Sequence, residues 1–241
     1  MEIDVEGKAV LITGASAGIG LCTAQAFACV GAKLALLSRS GDLLSSLADE
    51  FRANGTEAIA VPADMRDPEQ VRNAVAKTAE HFGRIDILIN SAGQSVLGTI
   101  ANLDLEYLRQ IIELNIIGPV VAMQAVIPIM RKQGGGIIIN VSSMVSKMKL
   151  QGLAGYACTK SALNMISSTA RDELAQDNIR VISVFPRTTA TDFHVHALGG
   201  GPGRQRPTLT RIGPVKVDTA EHVAERILLA AVNEPQEQYM D

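Results

Sequence analysis

Tyr156 and Lys160 stand four residues apart in Gly-Tyr-Ala-Cys-Thr-Lys, and Ser143 lies thirteen residues before the tyrosine. Positions i and i+4 of a helix share a face, so a phenol and an ammonium at this spacing point into one cleft. An ammonium beside a phenol favours the phenolate and lowers the phenol's pKa. A hydroxyl from another segment can then hold a substrate oxygen next to it. That layout suits acid–base chemistry at an oxygen. Tyr-x-x-x-Lys alone also occurs on exposed helix faces, so the reading depends on what the rest of the chain places beside it.

The opposite end of the chain supplies a second constellation. Lys8-Ala-Val-Leu-Ile-Thr13 is short, apolar and β-prone, as a buried parallel strand should be. Gly14-Ala-Ser-Ala-Gly18-Ile-Gly20 follows it and opens a helix over Ile19–Val30. Glycines permit a tight turn and a close backbone approach to a pyrophosphate, which a helix N-terminus attracts. The spacing Gly-x-x-x-Gly-x-Gly differs from the Gly-x-Gly-x-x-Gly dinucleotide fingerprint. A plain turn would use the same residues, but the strand–turn–helix context favours phosphate binding.

Six short apolar runs, roughly 8–13, 33–38, 57–61, 86–90, 136–142 and 179–185, read as strands. Between them the pattern is helical. Leu43, Leu44, Leu47 and Phe51 form one apolar stripe, and Val71, Val75, Thr78 and Phe82 another. A last helix is expected over about 219–233, and Gln238-Tyr-Met as a short final strand. Strands alternating with helices predict an α/β fold, a doubly wound parallel sheet of the Rossmann type, forming one domain over 1–241. Ligands of such sheets lie beyond the carboxyl ends of the strands. Gly14–Gly20, Arg39, Asp64, Asn90–Gly93, Ser143 and Pro186–Thr191 all follow strand ends, so they should meet along one edge.

Composition excludes several classes. The 241 residues are 47% hydrophobic and 20% charged, with no linker, repeat or charge run, which fits a large globular core. A net charge of -3 predicts no nucleic-acid partner and no anionic membrane surface. Three cysteines give no disulfide framework. Cys22 and Cys29 read as small buried residues, and Cys158, between Tyr156 and Lys160, as a packing residue or a neighbour of the site. The start, Met-Glu-Ile-Asp-Val-Glu, lacks the features of a signal peptide. The apolar stretch Ile111–Met130 carries Glu113, Asn115, Gln124 and two prolines, so it reads as a core helix rather than a membrane span. A reducing, cytoplasmic setting is expected.

Taken together, these residues resemble the short-chain dehydrogenase/reductase family, over Gly7 to about Thr191. Thr13-Gly14-Ala-Ser16-Ala-Gly18-Ile19-Gly20 is similar to the family's cofactor turn. Asn90-Ser-Ala92-Gly93 resembles its Asn-Asn-Ala-Gly segment, with Ser91 in place of the second Asn. Asn115, Ser143, Tyr156 and Lys160 match the catalytic positions in order and spacing. The resemblance implies hydride transfer between a nicotinamide and a carbonyl or alcohol carbon. Tyr156 would be the general acid in reduction and the base in oxidation. Lys160 and an oxidised nicotinamide would lower its pKa, which is near 10 in a free tyrosine. Lys160 would also hold the nicotinamide ribose. Ser143 would polarise the carbonyl, with Ser142 its rival on sequence alone. Asn115 would hold a water in a proton path, or serve as a buried amide satisfying backbone groups.

The same resemblance bears on the cofactor. An NAD site usually has an acidic residue about twenty positions after the glycine turn. Here Leu37-Ser38-Arg39-Ser40 puts Ser38 at that position and Arg39 after it. A carboxylate would repel a 2′-phosphate, whereas a guanidinium can pair with one bidentately. NADP(H) is therefore expected, with NAD(H) possible if Arg39 is a solvated loop charge. Ala17 stands where many NADP-binding relatives carry a basic residue. Asp64, with Met65, resembles the adenine-contacting position, or else caps the turn before Pro68. Pro186 and Thr191 match nicotinamide contacts. The family commonly has Pro-Gly where this chain has Pro186-Arg187, and no role follows for Arg187.

Substrate walls are expected from Gln94–Leu97, Met144–Leu153 and the segment after Thr191. Met144, Val145, Met148, Leu150 and Leu153 suit a hydrophobic ketone or acyl chain, or else pack against core or partner. Residues 192–213 are expected to include a substrate loop, with Gly199–Pro207 a lid that orders on binding. Arg204, Arg206 and Arg211 would attract an anionic substrate, or be solvated. His194-Val-His196 has no supporting cluster beyond Asp192, so no metal site is expected. A homodimer or homotetramer is expected by resemblance, through helices 104–133 and 155–176. The competing classes are a cofactor-sensing binding protein, an NAD-linked alcohol dehydrogenase, and an epimerase or dehydratase; the last are usually longer.

Overall fold

The computed structural model describes residues 5–199 and 216–240. Its centre is a seven-stranded sheet made of β1 (Ala9–Thr13), β2 (Lys33–Leu37), β3 (Ala58–Ala60), β4 (Ile87–Asn90), β5 (Gly136–Val141), β6 (Ile179–Phe185) and a last strand at Glu237–Tyr239. Their order is β3-β2-β1-β4-β5-β6 and then the last strand, every pair parallel. All six expected strands are present within a residue or so, because each is an apolar run covered on both faces. In register, Thr13 pairs with Asn90 and Asn90 with Asn140, so polar residues stand level at the carboxyl end of a sheet that is otherwise aliphatic.

Helices cover both faces. One core combines Val10, Ile12 and Leu34 with Phe27 of α1 (Gly18–Cys29) and Leu44 of α2 (Gly41–Ala53). The other combines Leu11, Leu88 and Ile138 with Val71 and Val75 of α3 (Pro68–Phe82) and Val126 of the long helical run ending at Gln133. A buried Leu or Phe side chain is worth about 1.5–3 kcal/mol each. Asp67 starts α3: its carboxylate accepts the N–H groups of Glu69 (2.9 Å) and Gln70 (3.1 Å), with Pro68 at the first helical position.

Two details correct the helical stripes. On α1 the buried residues are Gly20, Thr23, Ala24 and Phe27, so Cys22 is half-buried and Cys29 exposed. The pair seven apart does share a face, but that face is turned away from the sheet. On α2 the stripe is Leu44, Leu47, Ala48 and Phe51, while Leu43 is exposed.

The run from 105 to 133 is not one α-helix. It comprises α4 (Leu105–Ile112), a π-helical turn (Glu113–Ile117) and α5 (Gly118–Gln133). By length and composition it is apolar enough to cross a membrane. Its Ile111, Val121, Ala122, Val126 and Met130 are buried against the sheet and neighbouring helices. After β5 come a 3-10 turn (Met144–Lys147) and α6 (Ala154–Leu174). Beyond β6, β7 (Thr188–Thr189) pairs in parallel with β8 (Val217–Asp218). The closing helix α7 (Ala220–Asn233) packs beside α1, and β9 (Glu237–Tyr239) is the last strand named above. The expected lid, with Arg204, Arg206 and Arg211, lies outside the described residues apart from Gly199.

Candidate active site

The loops after β1, β4, β5 and β6 touch one another at the carboxyl edge. The Thr13 hydroxyl accepts the backbone N–H groups of Ser91 and Ala92, both at 3.1 Å, and so locks the loop after β4 onto the end of β1. The Met144 N–H donates to Pro186 O at 2.9 Å, joining the loops after β5 and β6. Across the glycine turn, Gly18 has φ +52° and faces the Thr191 methyl, 3.3 Å from where a Cβ would stand. A Cβ on Gly20 would lie 2.1 Å from Gly14 O, so only glycine lets the helix start this close to the turn. The result is a cradle of backbone at the N-terminus of α1, bounded by Gly14, Ser16, Ile19 and Thr191. It fits a phosphate group by its bare amides and the helix dipole.

Tyr156 and Lys160 lie one turn apart on α6, on the same inward face as Thr159, Leu163 and Ser167. Both are buried, at 8% and 4% exposure. Lys160 Nζ donates to Val141 O at 2.8 Å, which fixes the ammonium at the end of β5. The Ser143 hydroxyl lies close enough to the Tyr156 phenol to hold its pKa down, and its Oγ accepts the Val145 N–H at 3.2 Å. Ser142 instead bonds the Asn164 side chain. The two serines are adjacent on an extended backbone, so they point to opposite sides, and the structure brings Ser143 to the phenol.

Asn115 sits fully buried in the π-helical turn. Its Oδ1 accepts the Gln94 N–H at 3.0 Å, while Nδ2 donates to Gln94 O at 2.9 Å and to Thr159 Oγ1 at 3.1 Å. The inserted turn thus aims one amide at both the loop after β4 and the helix of Tyr156. A Cβ on Gly93 would stand 3.3 Å from Asn115 Oδ1 and 3.5 Å from Lys160 Nζ, so these three residues converge.

Both groups are strongly desolvated. Burial pushes the Tyr156 phenol up to about 12, and the nearby Ser143 hydroxyl offsets only part of that. Burial also brings the Lys160 ammonium down to about 8. The protein's own groups keep the phenol protonated at neutral pH.

At the ends of β2 and β3, the Ser38 hydroxyl accepts the Ser40 N–H at 3.3 Å and Arg39 is exposed. Asp64 is held by Arg66 in a bidentate pair, with Nη2–Oδ2 at 2.6 Å and Nε–Oδ1 at 3.0 Å. The Arg66 bonds, with the Arg39 charge nearby, keep its carboxyl below the usual range. Asp64 Oδ1 also accepts the Arg66 N–H at 2.9 Å, so Asp64 caps the turn before Pro68 while Asp67 caps α3. Met65 is buried beneath it.

Two of the segments expected as substrate walls meet beside the phenol. The Phe193 ring lies 5.6 Å from Tyr156, centroid to centroid. The Gln94 side chain donates to His196 O at 2.7 Å, and Val96 bridges to Leu198, so the segment after Thr191 closes on the loop after β4. Beneath the site, Asn90 donates to Asn140 and Asn140 to Ser167, both at 2.8 Å. Asn140 and Ser167 carry no motif; Asn140 stands level with Asn90 in the sheet, and Ser167 reaches it from α6. The His194 ring packs against Phe193, and among the described residues no cluster of three His, Cys, Asp or Glu side chains gathers for a metal. A cavity of about 170 Å³ lies at the opposite, amino edge of the sheet. Its Arg84 is paired with Asp86 and its Arg180 with Glu234, so we read it as a structural ion-pair cleft rather than the reaction site.

Comparison with known proteins agrees with this geometry. The family model for short chain dehydrogenase matches residues 8–198. The 3-oxoacyl-[acyl-carrier-protein] reductase of Synechocystis sp. is 35% identical over 207 residues, covering 86% of this chain and 83% of that protein. A short chain dehydrogenase from Burkholderia cenocepacia, solved in complex with NADP, superposes with a TM-score of 0.85 at 29% identity, covering 99% of this chain and 98% of that one. A 7 alpha-hydroxysteroid dehydrogenase, solved with NADH and 7-oxo glycochenodeoxycholic acid, gives a TM-score of 0.86 at 25% identity, covering 98% of this chain and 92% of that one. The chain is an oxidoreductase that belongs to the short chain dehydrogenase family.

Proposed function

We propose that this chain is an NADP(H)-dependent reductase of a ketone, aldehyde or 3-oxoacyl compound. The observation that carries the reading is the buried Tyr156 phenol, beside the Ser143 hydroxyl and one helical turn from Lys160, at the edge that holds the glycine cradle. A bound nicotinamide would supply the hydride for the carbonyl carbon. The Tyr156 hydroxyl gives its proton to the carbonyl oxygen, and solvent restores it. Ser143 holds that oxygen beside the phenol and polarises the carbonyl.

The chain's residues fit the cofactor. Gly14, Ser16, Gly18, Ile19 and Gly20 would cradle the pyrophosphate at the N-terminus of α1. Ser38 and Arg39 would take a 2′-phosphate, and Asp64 with Met65 the adenine. Asn90, Ala92 and Gly93 would form the floor, Lys160 would hold the nicotinamide ribose, and Pro186 with Thr191 the nicotinamide end. Arg66 is matched by Asp64, so the exposed Arg39 gives this end of the site its net positive charge, which supports NADP(H). Val145, Leu150, Leu153 and Phe193 supply an apolar wall, and the relative named for 3-oxoacyl reduction supports an acyl substrate. Leu105, Ile117 and Met165 are exposed on α4, the π turn and α6, which supports a homodimer or homotetramer through these helices.

Titration with NADPH and NADH, followed by nicotinamide fluorescence, tests the cofactor assignment. Tighter NADPH binding that is lost in Arg39→Ala is the expected outcome. Equal or tighter NADH binding would turn the assignment to an NAD-linked alcohol dehydrogenase. Binding of cofactor with no turnover of any carbonyl would favour a cofactor-sensing protein.

A further inference from the structure

Arg187 stands at the mouth of the site, where the family pattern has glycine. Its Nε donates to Asp218 Oδ2 at 2.9 Å and its Nη2 to Oδ1 at 2.8 Å. The Asp218 side chain is 2% exposed, so its carboxylate depends on this fork for most of its solvation. Asp218 lies at the end of β8, one residue before Thr219, whose hydroxyl caps α7 by accepting the His222 N–H at 3.1 Å. The pair therefore ties the segment after β6 to the base of a rigid helix.

What hangs from this tie is the nicotinamide end of the proposed site. Thr188 and Thr189 pair with Val217 and Asp218, and the Ala190 N–H donates to Asp218 O at 2.9 Å. A ladder of two residues per strand is too short to hold itself in place. The next residue, Thr191, touches Gly18 of the cradle. Its Oγ1 accepts the Phe193 N–H at 3.4 Å, and Phe193 lies against Tyr156. A shift of this segment would move both the wall of the cradle and the ring beside the phenol.

We propose that the Arg187–Asp218 pair is a positioning clamp that sets where Thr191 and Phe193 stand relative to the cradle and Tyr156. The inference rests on the functional reading above. Arg187 does not touch the reacting atoms in this account; it acts through the segment it holds. The fork takes over the role of fixing a backbone that lacks the expected glycine turn.

The test uses the full-length protein and two ligands: NADPH, and the adenosine half alone as 2′,5′-ADP (ADP should NADH prove the tighter dinucleotide). Asp218→Asn keeps the side-chain shape and the backbone acceptor for Ala190 but removes the charge. The expected result is NADPH binding weakened on the order of tenfold with the adenosine half bound as in the wild type. Turnover should fall on the order of 10²-fold, the scale of an ångström-sized misplacement. C4-deuterated NADPH should show a loss of facial purity in hydride transfer. Arg187→Lys, which retains the charge but not the fork, should fall between the two. Should Asp218→Asn fail to fold, Arg187→Gln/Asp218→Asn, which buries no charge, carries the same test. Unchanged NADPH binding and turnover, or equal weakening of both ligands, would overturn the clamp. Failure of the wild type to bind either ligand would instead overturn the functional reading, and the clamp with it.

Discussion

Asn115 grips the backbone of Gln94 at both ends, accepting its N–H at 3.0 Å and donating to its carbonyl at 2.9 Å. A side-chain amide paired to a peptide group in this way replaces a missing strand neighbour just where the chain leaves the sheet. Asn115→Ala removes both bonds and leaves two backbone groups without partners, at about 1–3 kcal/mol. Urea denaturation should register that loss. Stability equal to the wild type would show that the loop after β4 is held by other contacts.

Ser142 and Ser143 should separate cleanly. Ser143→Ala removes the hydroxyl beside the phenol and is expected to lower turnover about 10²–10³-fold, as loss of a polarising donor does. Ser142→Ala breaks a bond to Asn164, away from the phenol, and should cost about 1 kcal/mol of stability with turnover retained. The reverse pattern in steady-state kinetics would reassign the polarising serine.

Tyr156→Phe deletes the transferable proton and little else. Turnover should fall by about 10²–10⁴-fold, while cofactor affinity changes little. Since the phenol is buried, the variant should fold normally. Full activity in this variant would end the proposed mechanism.

Lys160 gives a pH signature. The folded protein releases this proton near pH 8, whereas an unfolded lysine holds it to about 10.5. Between these values the unfolded chain binds more protons, so raising the pH favours the folded state. Melting temperatures of the wild type, measured against Lys160→Met, should rise from pH 8 towards 10. Above 10 the slope should reverse in both proteins, because the Tyr156 phenol keeps its proton to about 12 when folded and loses it when unfolded. A difference that stays flat from pH 8 to 10 would mean Lys160 is better solvated than its burial implies.

The strands and the main site residues were legible because a parallel sheet buries both faces of each strand and delivers chemistry at the carboxyl ends. Apolar runs such as Ile137–Val141 and the polar residues after them are therefore visible in the sequence itself. The π-helical turn at Glu113–Ile117 was not, because one inserted residue barely disturbs a 3.6-residue period over 29 positions. Arg187 and Asp218 lie 31 residues apart, one just before β7 and the other ending β8, beside strands too short to show alternation. Phe193 fell within the segment expected as a substrate wall, but nothing in the sequence marked it as the ring beside Tyr156. Spacing reports which charges are near Tyr156 and says nothing of how dry the site is.

The sheet order has a consequence for synthesis. β1 is made first yet lies inside the sheet, between β2 and β4. β2 and β3 follow soon and cover one of its edges. The other edge waits for Ile87–Asn90, some seventy residues later. On the ribosome the chain therefore passes through a half-sheet, β3-β2-β1, with a flat aliphatic edge of Val10, Leu11 and Ile12 open to other nascent strands. Thr13, whose hydroxyl later receives Ser91 and Ala92, sits at the end of that open edge. The glycine cradle is thus translated early but braced late, and a slow step in making residues 60–90 would prolong exposure of an aliphatic strand edge.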